Sequence, residues 1–184
     1  MASFLFAFVA ALLIGQGARD QLVVACLAAA TGKAGLVAGW AAAIVSASFM
    51  AWAGATIATI VPPAGRQMLV AFALLAAAVE LAWPNRVRDA AEPTRSVGAI
   101  FVVLLARQLG DASRFAIFAL AAATALPALS GIGGAVGGGA AITIGWTMGA
   151  RLERDLPLRA IRIALACATF VLALLIGLTA RGIV

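Results

Sequence analysis

The sequence predicts an all-α polytopic membrane protein, with six transmembrane helices arranged as two inverted three-helix repeats. Three observations carry this. First, the 184 residues are 65% hydrophobic and 11% charged, with mean hydropathy +1.11, whereas a soluble domain carries about 25% charged residues. Second, six apolar runs reach the roughly 20 residues that a span requires. Third, a polar stretch recurs at the centre of the first run of each half.

The runs are Ser3–Ala30, Gly35–Ile60, Gly65–Trp83, Ser96–Leu126, Gly134–Leu152 and Leu158–Ala180. The first opens like a secretory leader, but no Lys or Arg precedes Phe4–Ile14 and no small-x-small cleavage site follows cleanly. It reads as half of a membrane helix that continues to Ala30. The first and fourth runs are long enough to be tilted, or broken at their polar centres. Pro84 and Pro93 punctuate the one substantial polar loop. Residues 1–83 form the first repeat, 84–95 a cytoplasmic linker, and 96–184 the second repeat.

The halves match internally. Gln16 and Gln108 stand 92 residues apart, while Gly54-Ala55 with Pro62 matches Gly149-Ala150 with Pro157 at an offset of 95. The slip falls at Gly131-Ile132-Gly133-Gly134, read as a glycine-rich turn. Each half therefore reads as a helix with a polar centre, a helix ending in Gly-Ala, a proline turn and a third helix. Three spans per half force opposite insertion of the halves. Many secondary transporters share that layout, with a midplane site at the repeat interface.

Lys33, Arg86, Arg88, Arg95, Arg151, Arg154 and Arg159 fall in alternate loops, against Arg66 and Arg181 on the other side. The positive-inside rule then puts the richer loops in the cytoplasm and both termini outside. A bacterial inner membrane fits the short chain. The net charge of +6 and pI near 11.3 reflect these loops, and no nucleic-acid partner is expected. Small-xxx-small pairs such as Gly35/Gly39, Gly133/Gly137 and Gly145/Gly149 read as helix packing. Trp83 reads as an interfacial anchor, and Trp40, Trp52 and Trp146 as packing or lipid-facing. Cys26 and Cys167 read as small buried hydrophobes.

The chemistry lies in two stretches, Gln16-Gly17-Ala18-Arg19-Asp20-Gln21 and Arg107-Gln108-Leu109-Gly110-Asp111-Ala112-Ser113-Arg114. A charge at the bilayer centre costs about 2.5–3.5 kcal/mol, so an intramembrane cluster marks a functional site by default. On a continuous helix Arg107, Gln108, Asp111 and Arg114 share one side, as do Gln16, Arg19 and Asp20. A purely structural reading stands beside the functional one: Asp111 pairs with Arg107 or Arg114 and fixes helix register. Glu80, three residues before Trp83, is expected to snorkel toward the interface. With no His in the chain, imidazole chemistry is excluded, and no nucleophile set or nucleotide loop points to an enzyme.

The layout resembles the Gdt-one type cation/proton exchangers (uncharacterised protein family sixteen), six-helix proteins linked to manganese and calcium transport. Their repeated Glu-x-Gly-Asp-Lys/Arg-Ser/Thr matches Gln108–Ser113 at Gly110, Asp111 and Ser113, and Gln16–Gln21 by position. Gly149, Leu152, Pro157, Arg159, Ile161, Arg162 and Phe170 resemble the family's last two helices. The departures are pointed. Gln16 and Gln108 replace the family's two Glu, Arg19 replaces its first Asp, and Asp20 falls one position late. Gln supplies a carbonyl oxygen but carries no proton.

The resemblance implies an antiporter, with Gln16, Gln108, Asp111 and Ser113 as ion or solute ligands and Arg19 and Asp20 setting the site charge. Asp111 is the expected metal ligand. A divalent cation, manganese or calcium, enters as cargo rather than as a cofactor. By pseudo-symmetry Arg19 is expected opposite Asp111, its guanidinium where a bound cation would sit. Two other readings remain open: an exporter of another small solute on a related fold, and a non-transporting membrane protein with a structural ion-pair core. The remaining expected partners are the lipid bilayer and a small ion or solute.

Overall fold

The computed structural model describes residues 1–84 and 96–183, and these residues form helices and short connections with no strand among them. The helices are α1 (Ala2–Ile14), α2 (Arg19–Thr31), α3 (Lys33–Ile60), α4 (Pro63–Ala82), α5 (Val97–Leu109), α6 (Ala112–Thr124), α7 (Pro127–Met148), α8 (Arg151–Asp155) and α9 (Leu158–Ala180). Four of them, α3, α4, α7 and α9, are long and apolar enough to cross a membrane, and α1 with α2, bent by 64°, passes the same test as a pair. The chain is a multi-pass membrane protein by this measure. Large apolar side chains such as Val171, Leu172, Leu174 and Leu175 on α9 are exposed, as a surface solvated by lipid tails allows. The linker 84–95 lies, apart from Pro84, outside the described residues.

The first expected span is thus two helices. Each has 13 residues, about 20 Å of helix against a hydrocarbon core of about 30 Å, so neither crosses alone. The fourth run is likewise divided into α5 and α6 at Gly110-Asp111. Prolines set the entrances elsewhere. Pro62 and Pro157 are the N-caps of α4 and α9, and Pro127 occupies the first turn of α7, where a missing N–H costs nothing.

Two sequence expectations fail at glycine. Gly131–Gly134 is no turn but the interior of α7, which runs Pro127–Met148 rather than 134–152. A Cβ on Gly133 would stand 2.3 Å from the Phe4 carbonyl oxygen, and one on Gly137 2.3 Å from that of Phe8. Close backbone approach to α1 therefore outweighs the turn preference of glycine. Gly54-Ala55 does not end α3, which continues to Ile60. Its offset match, Gly149, does end α7, with φ +52°.

The core is formed where α7 crosses α1 and α3, while α4 packs on α9 and α6. The Trp40 indole N–H donates to Thr143 Oγ1 at 3.0 Å, so this ring packs between α3 and α7. Trp52 and Trp83 face outward. Both cysteines stand at exposed positions rather than buried ones.

Candidate functional site

The α1–α2 break begins at Gly15 and turns at Gly17, whose φ of +71° favours glycine. A Cβ there would also lie 3.2 Å from Leu158 Cβ and 3.3 Å from Arg162 Cδ. Inside a bilayer the freed backbone groups need partners within the protein, and Gln21 supplies one for Gly17. Its Oε1 accepts from the Gly17 N–H at 2.7 Å, and its Nε2 donates to Gln16 Oε1 at 3.1 Å and to the Ala141 carbonyl at 2.8 Å. Asp20, buried in the first turn of α2, accepts from the Gln21 N–H at 2.8 Å through Oδ1. A carboxylate suits that position, beside the positive end of the helix dipole.

At the second break Asp111 is the N-cap of α6, its Oδ2 accepting from the Ser113 N–H at 3.0 Å and from the Ser113 hydroxyl. One turn further, Arg114 points inward and is 1% exposed. Its Nε donates to Ser46 Oγ at 2.7 Å, Nη1 to Ser113 Oγ at 3.1 Å, and Nη2 to Gln108 Oε1 at 3.1 Å. The Ser46 hydroxyl in turn donates to Gln108 Oε1 at 2.9 Å. The guanidinium lies against Gly138 of α7, where a Cβ would stand 3.0 Å from both terminal nitrogens. Asp20 and Asp111 are both within electrostatic reach of it, and Asp20 neighbours the Gln108 amide. The two breaks thus feed one buried polar centre.

A second charged group borders the first break. Arg162 Nη2 donates to Glu80 Oε2 at 3.0 Å and to the Glu80 carbonyl at 2.9 Å, and Nη1 reaches the Gly17 carbonyl at 3.4 Å. Glu80 therefore turns inward to an ion pair instead of snorkelling, because Arg162 is buried and needs a counter-charge. Arg19 is 46% exposed at its side chain, with Nε 4.0 Å from Glu80 Oε1. A cavity of about 890 Å³ lined by Gly17, Leu158, Arg162 and Glu153 opens beside this pair.

Of the residues singled out by sequence, Asp20, Gln108, Asp111 and Ser113 are brought together and buried. Gln16 joins them through Gln21, whereas Arg19 stands outside beside Glu80. The guanidinium buried in the centre belongs to Arg114 instead. Arg107, in the same stretch, is exposed. Sequence reasoning left Gln21, Ser46, Glu80 and Arg162 out of the site, and set Arg114 on the same side as Gln108 and Asp111 without a ligand role. A charge inside an apolar run marked Arg162 and Arg114, but a lone serine in the alanine-rich α3 carries no signal. Among the described residues no group of three or more His, Cys, Asp or Glu is placed to hold a metal ion. No protein-family model matches the chain, and neither does any curated protein or solved structure.

Proposed function

We propose that this chain is a secondary transporter of two inverted three-helix repeats, 1–83 and 96–184, a divergent relative of the cation/proton exchangers. One observation carries the reading. Two helix breaks from distant parts of an apolar chain contribute to a single buried polar centre, the usual construction of a midplane site from discontinuous helices. The packing supports it: α1 on α7 is paralleled by α5 on α3, α2 on α7 by α6 on α3, and α3–α7 and α4–α9 pair with each other. Counting the bent pair α1–α2 and the pair of shorter helices α5–α6 as one span each brings the total to six. The loops bearing Lys33, Arg151, Arg154 and Arg159 face the cytoplasm on this reading.

The cargo is a small cation, manganese or calcium by preference. Hard divalent cations take six or more oxygens. Asp20 and Asp111 offer carboxylates, and Gln108, Ser113 and Ser46 offer neutral oxygens, all at the centre. Protons return on the same carboxylates. Flux of manganese or calcium into proteoliposomes, with and without a pH gradient, tests this. The wild type should carry one of them, and Asp111→Asn should lose at least about tenfold of the rate. Absence of flux under all these conditions overturns the reading.

A second reading, a structural ion-pair core, is favoured by one fact: each nitrogen of Arg114 already has an internal acceptor. It requires Asp111→Asn to lower stability in a protein that carries no ion.

A further inference from the structure

We infer that the Arg114 guanidinium is a resident cation, occupying an oxygen-lined divalent-cation position formed by Ser46, Gln108 and the Asp111–Ser113 pair. Its three hydrogen-bond partners are neutral oxygens, Ser46 Oγ at 2.7 Å, Ser113 Oγ at 3.1 Å and Gln108 Oε1 at 3.1 Å. These are donor types a hard cation uses. The compensating charge comes from Asp111, which accepts from the same Ser113 hydroxyl that receives Arg114 Nη1, with Asp20 within electrostatic reach, and a buried charge requires such compensation. Gly138 completes the position, because a Cβ there would crowd Nη1 and Nη2 at 3.0 Å.

Removing the side chain beyond Cβ vacates a space lined by the oxygens of Ser46, Ser113 and Gln108, with the Asp111 carboxylate beside Ser113 and no cation left to compensate it. A divalent cation can take up that vacated position. The native arginine therefore competes with a divalent ion for the same oxygens, and its return refills the site whenever the ion departs. That last step rests on the transport reading; occupancy by the guanidinium does not.

The test is manganese and calcium binding by the full chain in detergent, followed by calorimetry and by the ion dependence of thermal unfolding. Arg114→Ala should bind one of these ions at least about tenfold more tightly than the wild type. Arg114→Lys, which keeps a tethered charge, should resemble the wild type. In Arg114→Ala combined with Asp111→Asn the gain should vanish. If Arg114→Ala fails to fold, Arg114→Gln, neutral and able to hydrogen-bond, should show the same gain. Equal or weaker binding in the folded neutral variants than in the wild type overturns the proposal, as does a gain that survives Asp111→Asn. A gain in binding by a protein without flux upholds the resident cation and removes the transport reading.

Discussion

The two breaks solve the same problem by different chemistry. Each interrupts a helix in an apolar setting and frees backbone groups that lipid cannot satisfy. At the first, a neutral amide does the repair: Gln21 takes up the Gly17 N–H and ties the turn to α7 through the Ala141 carbonyl. At the second, a carboxylate does it, Asp111 capping α6 while Arg114 fills the space behind. The first break carries Asp20 at the start of α2 and also borders an ion pair from other helices, Arg162 of α9 and Glu80 of α4. A neutral repair can be fixed in place; a charged one can respond to an ion or a proton. The second break thus supplies most of the polar centre, while the first adds Asp20 to it and is otherwise built for anchoring.

The sharpest way to break this contrast is to remove the borrowed charge. Glu80→Ala leaves Arg162 buried without its counter-charge, and truncating one partner of a buried pair costs about 3–5 kcal/mol. Equilibrium unfolding in detergent should register that loss, the largest expected from any single change considered. A loss under about 1 kcal/mol would mean that the first break does not depend on α4 and α9. Gln21→Leu comes next. It strands the Gly17 N–H, a buried group worth about 1–3 kcal/mol when unsatisfied, and removes the tie to the Ala141 carbonyl of α7. The expected cost is about 1–3 kcal/mol, read in the same unfolding experiment. Gln21→Glu, retaining the acceptor for Gly17, should recover part of it.

Much of this was legible in the sequence, for physical reasons that also mark where legibility ended. Apolar runs separated by glycine and proline located α3, α4 and α9 almost to their ends, because lipid imposes length and composition together. Polar centres in the first and fourth runs located both breaks. Pairing across helices left no such trace. Glu80 reads as interfacial until Arg162, 82 residues later, is brought against it. Ser46 is one serine among alanines until Arg114 reaches it from α6. Gly131–Gly134 has the local preference of a turn, and only contact with α1 reveals why the helix continues.

The smallest expected effect separates two arginines that the sequence treats alike. Arg107 lies four residues before Asp111 and Arg114 three residues after it, so a continuous helix would set both beside the carboxylate. The chain instead breaks at Gly110, and α6 restarts from its Asp111 cap, whose backbone is extended. Arg114 is thereby turned into the centre, while Arg107 stays on the exposed side of α5. Arg107→Ala should therefore change unfolding stability by no more than about 0.5 kcal/mol, and leave ion binding by the Arg114→Ala background unaltered. A loss of several kcal/mol at Arg107 would mean that the helix does not break at Gly110, and the two breaks would no longer be comparable.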